Sequence, residues 1–388
     1  MFKWETKGSR FVIERLFEAG YEAVYVGGAL RDIALGLTPK DIDIATAATP
    51  EEIEALFHRT IDVGKEHGTI IVLVGEEQLE VTTYRSESTY SDHRRPDDVT
   101  FVRSLHEDLK RRDFTMNAMA IDHRGQWIDP FDGLRHIQER TIQAVGQADE
   151  RFEEDALRMI RAVRFVSTLG FTVESETQRA MQKHASLISY LAMERIKQEF
   201  DKMFRGEHLV QALHLLYETG LHRYLPASQE ELPLQPFSLV QQPIEGWVLW
   251  AKYHHLTSAD VAKAYKLSKK EREAIERYLT LAQEREWTLW TVYHYSLEEL
   301  LFIRRLNERP ETEQQLRQMK AQLPIQSKRD LAFDGKDVKR YYPNCLGENI
   351  GQLLTEIERA VVLRKVSNDT EEIIEWVNEH VYERLCTK

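Results

Sequence analysis

The stretch "VGGALRDIALGLTPKDIDIAT", Val26 to Thr46, decides the fold, because a strand, a Gly-Gly turn, a helix and a second strand follow one another within it. Side chains alternate between the faces of a strand, so we expect Asp41 and Asp43 on one face and isoleucines on the other. Two adjacent carboxylates are unfavourable without a cation and suit Mg²⁺, which takes carboxylate and phosphate oxygens. The pattern predicts a metal-assisted phosphate site, with a solvated acidic edge strand as the alternative for an isolated Asp-x-Asp.

The two glycines at positions 27 and 28 open the predicted helix. A helix start favours negative charge, and without a Cβ a nucleotide phosphate can approach the backbone N–H groups. Arg31 lies one turn further on and could reach the same phosphates. A Gly-Gly pair alone is usually only a tight turn, but its combination with the Asp-x-Asp strand predicts that Gly28 and Arg31 bind a nucleotide.

Composition sets the limits of the interpretation. With 388 residues and 42% hydrophobic content, the chain can bury more than one core. No apolar run approaches the roughly 20 residues of a membrane span, and "MFKWETKGSR" lacks the apolar centre of a signal peptide, so we expect a cytoplasmic protein without a membrane partner. Its net charge of -12 argues against binding nucleic acid by bulk electrostatics, although arginines gather within the first 165 residues.

The order of helix and strand patterns predicts an α+β chain. The first 130 residues alternate helical and strand periods, with "GTIIVLVG" and "EQLEVTTYR" forming a hairpin around Gly75. From about Arg151 onward nearly all segments have the helical period. The expected architecture is an N-terminal mixed-sheet head followed by an all-α body. Aromatic stretches such as "WVLWAKYHHL" are expected to be core rather than base-stacking platforms.

Two further motifs place charges near the aspartates. In "EVTTYR", Glu80 lies on a predicted strand and is either a third carboxylate beside the metal pair or a solvated residue. In "KRRDFTMNAMAID", Asp113 is expected to cap a following helix. Arg112 and Arg111 stand before it, and a structural surface role is favoured for Arg111.

The stretch "EEDALRMIRAVRF" predicts one coherent polar helix face. At 100° per residue this face carries Asp155, Arg158, Arg161 and Arg164, with apolar residues opposite. Asp155 and Arg158 could simply form an ion pair one turn apart. A carboxylate acceptor and a forked guanidinium donor could instead hydrogen-bond the edge of a base.

Together these motifs resemble the nucleotidyltransferase superfamily that includes DNA polymerase beta. More narrowly, "VGGALRDIALGLTPKDIDIAT", "EVTTYR", "RRDFTMNAMAID", "DPFDG" and "EEDALRMIRAVRFVSTLGF" are similar to the class II branch of tRNA nucleotidyltransferases (CCA-adding enzymes) and bacterial poly(A) polymerases. The resemblance implies a polymerase-beta-like head at 1–140, a nucleotide-selecting helical neck at 141–206, a helical body at 207–325 and a tRNA-binding helical tail at 326–388.

The resemblance also implies an activity, namely template-independent addition of CCA to the 3′ end of tRNA from CTP and ATP, with Mg²⁺ and release of pyrophosphate. It makes Asp41 and Asp43 the metal ligands and adds Glu80 to the catalytic carboxylates. The nucleotide-binding residues that it implies are Gly28, Arg31, Arg112, Asp155, Arg158, Arg161 and Arg164. The 3′ end and acceptor-side backbone of tRNA would be the macromolecular partner, and a homodimer is left open.

Several alternatives share part of this pattern. A poly(A) polymerase or an enzyme adding only A or only CC would share every motif, whereas the polar loop "YRSESTYSDHRRPDDVTFV" favours complete CCA or A addition by its likeness to similar enzymes. A nucleotidyltransferase acting on a small molecule would need neither the "EEDALRMIRAVRF" face nor the long helical body. A non-catalytic RNA-binding protein is disfavoured by the intact Asp41 and Asp43.

Overall fold

The computed structural model describes residues 4–39, 41–87, 99–228 and 232–386. Its contacts divide the chain into two compact units, Met1–Ser268 and Lys269–Lys388. Residues 88–98, which form most of the predicted loop, lie outside the described residues. The four-part division at 140, 206 and 325 stays a prediction.

All strands found in the described ranges belong to the first unit. Seven of them form one mixed sheet in the order β3-β4-β5-β2-β1-β8-β9, in which only β2 and β5 pair in parallel. Two shorter pairs accompany it, an antiparallel β6–β7 ribbon and a parallel β10–β11 pair. The strands are β1 Ala23–Val26, β2 Asp43–Thr46, β3 Thr60–Gly64, β4 Thr69–Val74, β5 Glu77–Thr83, β6 Arg85–Glu87, β7 Val99–Phe101, β8 Ala120–Ile121, β9 Trp127–Ile128, β10 Thr141–Ile142 and β11 Thr172–Val173.

Helices make up most of the remainder, as predicted. The first unit contains α1 Lys7–Glu18, α2 Gly28–Ala34, α3 Pro50–Leu56, α4 Leu105–Lys110, α5 Gly133–Gln138, α6 Ala148–Glu154, α7 Leu157–Leu169, α8 Ser175–His184, α9 Met193–Met203, α10 Leu209–Glu218, α11 Pro243–Tyr253 and α12 Ser258–Tyr265. The second unit contains α13 Lys269–Gln283, α14 Leu289–His294, α15 Leu297–Leu306, α16 Glu313–Ala321, α17 Gly335–Tyr341, α18 Glu348–Val362, α19 Thr370–His380 and α20 Tyr382–Cys386. None of the helices among the described residues combines the length and the apolarity that crossing a membrane requires.

The sheet and the helical body each bury the residues that the sequence pattern assigns to a core. The apolar side chains of β1 and β2 pack with Tyr84 and with Leu105 and Leu109 of α4. In the helical part, Trp247 and Trp250 of α11 are at most 1% exposed and pack around Phe200. The prediction that "WVLWAKYHHL" is core is confirmed for these two tryptophans.

Strand β2 is shorter than predicted. It begins at Asp43, so Asp41 precedes the strand and its side chain is exposed. The cause is the partner strand, since Val26 pairs with Asp43 and β1 then ends where Gly27 turns the chain. Asp41 therefore has no residue of β1 opposite it, and the prediction that both aspartates lie within one strand is wrong.

The predicted helix of "EEDALRMIRAVRF" is broken in two. Asp155 has extended backbone angles (φ -135°, ψ 99°) and separates α6 from α7. Its side chain accepts a hydrogen bond from the backbone N–H of Leu157 at 3.1 Å, and this contact stabilises the start of α7. Asp155 thus enters the site from a turn, whereas Arg158, Arg161 and Arg164 share α7.

Candidate active site

A cavity of about 660 Å³ lies in the first unit, where the end of β1, the start of β2 and helix α7 meet. A volume of this size is typical of a small-molecule site. The predicted site residues that line it are Gly28, Arg31, Asp43, Glu80, Arg112, Asp155, Arg158, Arg161 and Arg164. Asp41 is not among the lining residues.

Two carboxylates lie side by side at the sheet end of the cavity. Strands β2 and β5 pair in parallel with Asp43 directly opposite Glu80. Burial raises the pKa of Asp43 to about 6, and the negative charges of Glu80 and Asp41 contribute while Arg112 opposes them. Glu80 therefore lines the cavity beside Asp43 while remaining exposed to solvent, and its role as a third carboxylate stays a prediction.

This carboxylate pair has the donor chemistry of a Mg²⁺ site. Across the described ranges there is no group of three or more His, Cys, Asp or Glu side chains arranged to hold a metal ion. Mg²⁺ does not need one, because it keeps several waters and is commonly held by one or two carboxylates together with substrate phosphates. Burial and, to a lesser extent, the neighbouring negative charges raise the pKa of Asp43, and a cation bound beside the carboxylate would favour its ionised form.

The Gly-Gly turn brings the start of α2 against the carboxylates. Gly27 has φ 80° and ψ -152°, a conformation that is essentially restricted to glycine. A Cβ built on Gly27 would lie 2.9 Å from Oδ2 of Asp43, so only glycine fits between the turn and that carboxylate. At Gly28 a Cβ would lie 3.4 Å from Nη2 of Arg31, which places this guanidinium over the helix start. The structural requirement for glycine is therefore strongest at Gly27.

Arg112 lies between the carboxylates and a buried acid on α4. Its Nη1 donates to the backbone carbonyl of Asn117 at 3.3 Å, and its Nη2 donates to Asp108 at 3.1 Å. Arg111 also lines the cavity and pairs with Asp108 at 2.8 Å. The surface position expected for Arg111 is therefore wrong, because its guanidinium is mostly buried against Asp108, while its structural role stays a prediction.

On the neck side, Asp155 and Arg158 have separate partners. Arg195 forms a bidentate contact with Asp155: its Nη2 donates to Oδ2 at 2.9 Å and its Nη1 donates to Oδ1 at 3.3 Å. Arg158 is 6% exposed and donates to Glu154 at 2.7 Å and to the backbone carbonyl of Arg111 at 2.8 Å. Asp155 is the more exposed of these two residues. Arg158 links α7 to the chain segment of Arg111 and Arg112 through the carbonyl of Arg111.

Further along α7, Arg161 is held by Asp113. The carboxylate of Asp113 is buried and accepts from Nε of Arg161 at 2.8 Å and from Nδ2 of Asn117 at 3.0 Å. Burial alone would raise its pKa, yet the pKa of Asp113 falls to about 2 because the charge of Arg161 and these hydrogen bonds outweigh burial. Oδ1 of Asn117 also accepts from Arg31 at 3.0 Å, so one asparagine joins the α2 and α7 sides of the cavity.

Arg164 completes the row and has a different environment. Its guanidinium lies 3.6 Å from the ring centroid of Phe165, and its Nε is 2.7 Å from the buried carboxylate of Glu199. Burial lowers the pKa of Arg164 to about 10, so it remains a cation at neutral pH. Arg31 and Arg161 approach the same ring at 5.3 and 5.6 Å, which gathers three cations around Phe165.

The helix predicted after Asp113 does not form. A three-residue 3₁₀ turn, Thr115–Asn117, stands in its place. The chain is held extended there because the N–H of Thr115 donates to the carbonyl of Gln143 and the N–H of Val145 donates to the carbonyl of Asp113. The Asp113 side chain is consequently free of a capping role and binds Arg161.

Sequence reasoning missed several polar residues that hold the cavity arginines. Asp108 lies three residues before Arg111 and four before Arg112, which is the i, i+3 and i, i+4 spacing of helical ion pairs. This spacing could have revealed the role of Asp108. Asn117 lies between Met116 and Ala118, and a polar residue in such an apolar segment was likewise a signal for a buried polar group. Arg195 and Glu199 come from α9 and carry no local signal. The residues missed altogether are Asp108, Asn117, Arg195 and Glu199, whereas Asp113 was named with a capping role in place of its contact with Arg161.

Comparisons with known proteins give family matches along most of the chain. Family models match in three places: the poly A polymerase head domain at residues 23–143, the probable RNA and SrmB-binding site of polymerase A at 170–232, and the putative domain 2 of tRNA nucleotidyltransferase at 240–377. The CCA-adding enzyme of Geobacillus kaustophilus is 42% identical to the chain over 397 residues, covering 97% of this chain and 98% of that enzyme.

Solved structures give the same relationship. The Bacillus stearothermophilus CCA-adding enzyme in complex with CTP superposes with a TM-score of 0.87 at 39% identity, covering 97% of each chain. The Thermotoga maritima CCA-adding enzyme complexed with tRNA shares the fold, with a TM-score of 0.67 at 19% identity over 97% of this chain and 96% of the other. The resemblance inferred from the motifs is confirmed, and the chain belongs to the family of CCA-adding enzymes, which are tRNA nucleotidyltransferases.

Proposed function

We propose that the cavity between the sheet and α7 is the site at which CCA is added, without a template, to the 3′ end of tRNA from CTP and ATP. The proposal rests on one observation, namely that the Asp43–Glu80 pair meets arginines from α2, from the turn after α4 and from α7 in one cavity. Carboxylates suit a divalent cation, and guanidinium groups suit a triphosphate. Family membership supplies the tRNA and nucleotide chemistry.

In the proposed reaction, the 3′ hydroxyl of tRNA attacks the α-phosphate of the nucleotide, a P–O bond forms, and pyrophosphate leaves. Asp41 and Asp43 are the proposed ligands of Mg²⁺, with Glu80 beside them; bound Mg²⁺ supplies a lowered pKa of the attacking hydroxyl and charge neutralisation of the leaving oxygens. Arg31 and Arg112, whose guanidinium groups both lie near the Gly-Gly turn, are assigned to the triphosphate. Gly27 keeps Asp43 unobstructed.

Base selection is assigned to the neck side of the cavity. Asp155, held by Arg195, presents carboxylate oxygens that can accept a hydrogen bond from the exocyclic amino group shared by cytosine and adenine. Arg158 is proposed to complete the reading of the base edge, and Arg161 and Arg164 to support this wall. The cytoplasmic location and the identity of Mg²⁺ as the ion belong to this proposal, and a homodimer stays open.

The test supplies the purified protein with Mg²⁺, tRNA transcripts ending before CCA, after C and after CC, and labelled CTP, ATP or both. We expect extension to CCA that then stops, and loss of extension in Asp43→Ala. Asp62→Ala is the matched control, because Asp62 is an exposed carboxylate on β3 of the same sheet and does not line the cavity. An unlimited A tail or addition of only A or only CC would replace the proposal by one of those activities, and no incorporation would refute it.

A further inference from the structure

A carboxylate outside the cavity holds two of the arginines that line it. Asp108 lies on α4 with its side chain 1% exposed. Its Oδ1 accepts from Nε and Nη2 of Arg111 at 3.0 and 2.8 Å, and its Oδ2 accepts from Nη2 of Arg112 at 3.1 Å. Oδ1 also accepts from the backbone N–H of Arg85, the first residue of β6, at 3.4 Å. Four donors from three residues fix this carboxylate in place.

The charge of Asp108 follows from these contacts. Burial alone would raise the pKa of Asp108, but the guanidinium groups of Arg112 and Arg111 outweigh burial, and the pKa lies below its usual value. The carboxylate is therefore ionised at neutral pH. The guanidinium groups of Arg111 and Arg112 consequently share one negative charge on their buried side.

The other side of Arg112 reaches the proposed catalytic residues. Its Nη1 binds the Asn117 carbonyl and lies 3.9 Å from a Cβ built on Gly27. A long arginine side chain has many rotamers, and a fork that is already fixed loses less freedom when it binds a phosphate. Asp108 supplies that fixation.

We propose that Asp108 is a positioning residue, which acts through Arg112 and Arg111 to hold their guanidinium groups in the geometry that receives the nucleotide triphosphate. The inference rests on the proposed function, because that function assigns the triphosphate to Arg112. The triphosphate is common to CTP and ATP, so loss of positioning weakens both nucleotides by the same factor. An effect on base reading would separate them.

An electrostatic role and a positioning role of Asp108 predict opposite changes in triphosphate affinity when the residue is replaced. Asp108→Asn removes a negative charge beside two cations, so a purely electrostatic role predicts tighter triphosphate binding. A positioning role predicts weaker binding, because the guanidinium groups lose the acceptor that fixes them. Asp108→Glu keeps the charge and moves the carboxylate by one methylene, so it changes position alone.

The experiment measures kcat and KM for CTP on tRNA lacking CCA and for ATP on tRNA ending in CC, with thermal unfolding of each variant. We expect KM for both nucleotides to rise roughly tenfold in Asp108→Asn and Asp108→Glu, with kcat changed less than about threefold, as loss of a charge-assisted contact implies. Glu299→Gln is the matched control, since Glu299 is a buried carboxylate that pairs with Arg277 in the second unit at 2.7 and 2.8 Å. It should lower stability and leave both KM values unchanged.

A second measurement separates this inference from the proposed function. Isothermal calorimetry with inorganic tripolyphosphate should show the same loss of affinity in both Asp108 variants, and it reports on the arginines even if the wild type extends no tRNA. Unchanged or tighter tripolyphosphate binding in Asp108→Glu overturns the positioning role. Unequal changes for CTP and ATP overturn it as well. If neither variant folds, Asp108 is a structural residue and the inference is wrong.

Discussion

Replacing Gly27 by alanine tests how the Gly-Gly turn serves the carboxylates. The backbone of Gly27 (φ 80°, ψ -152°) lies in a region that costs other residues about 1–3 kcal/mol. The added Cβ would also lie 2.9 Å from Oδ2 of Asp43, closer than a carbon and an oxygen in van der Waals contact. The Asp43 carboxylate is the movable partner and must leave its position opposite Glu80.

The expected loss of activity in Gly27→Ala is estimated by separating backbone strain from displacement of the Asp43 carboxylate. Gly36, at the other end of α2, has φ 75° and no atom within 4 Å of a built Cβ, so Gly36→Ala introduces strain without a contact. A displacement of about 1 Å at a reacting group can cost on the order of 100-fold in rate, or about 2.7 kcal/mol. We therefore expect Gly27→Ala to lower kcat/KM for CTP roughly 100-fold or more, and Gly36→Ala less than about threefold.

The assay is single-turnover addition of labelled CTP to tRNA lacking CCA, with thermal unfolding of both variants. Both should unfold at a lower temperature than the wild type, because both carry a strained backbone. Gly28→Ala adds a third point, since its Cβ meets only Arg31 at 3.4 Å and its backbone is unstrained; KM should change more than kcat. If Gly27→Ala keeps kcat/KM within threefold of Gly36→Ala, the carboxylate does not depend on the glycine and the reasoning is refuted.

Three further predictions concern the charges around the cavity. Asp113→Asn should destabilise the fold by roughly 2 kcal/mol at neutral pH, because Asp113 is ionised beside Arg161 with a pKa of about 2 against its ordinary 3.8. This stabilisation is present above pH 4 and is lost as the pH falls from 4 towards 2. The thermal unfolding temperatures of wild type and variant should therefore converge as the pH approaches 2. Arg195→Gln should free the carboxylate of Asp155 and lower the preference for CTP and ATP over UTP and GTP about tenfold, measured by misincorporation; unchanged fidelity would contradict the clamp. Glu80→Gln should raise the Mg²⁺ concentration needed for half-maximal rate, and an unchanged Mg²⁺ dependence would remove Glu80 from the metal site.

The sequence predicted the residue types of the site better than their geometry. Asp43, Gly28 and Arg31 lie within one local motif, and the local order of strand, turn and helix was enough to place them in one cavity. Glu80 is brought to Asp43 by the parallel pairing of two strands, and a pattern of alternation does not contain the register between strands. The sequence therefore left the position of Glu80 open, and the pairing gives that position while its role stays a prediction. The position of Asp41 failed for the same reason, since the end of the partner strand limits β2.

The neck shows a second limit of sequence reasoning. A helical period describes one face only while the helix is continuous, and the break at Asp155 removes that residue from the α7 face. The hydrogen bond to the N–H of Leu157 is the physical cause that favours the break. Arg195, which holds Asp155, comes from another helix 40 residues later, and such a long-range partner has no periodic signature.

The arginines of the cavity also explain how an acidic chain can present the proposed triphosphate site. The chain carries a net charge of -12, and several guanidinium groups crowded together would repel one another. In the structure, carboxylates behind the cavity wall neutralise them: Arg112 pairs with Asp108, Arg161 with Asp113, and Arg164 with Glu199. Attraction for the nucleotide then depends less on excess positive charge than on guanidinium donors held in fixed directions. The carboxylates that lower the net charge are the groups that fix those directions, so acidity and triphosphate binding do not conflict in this fold.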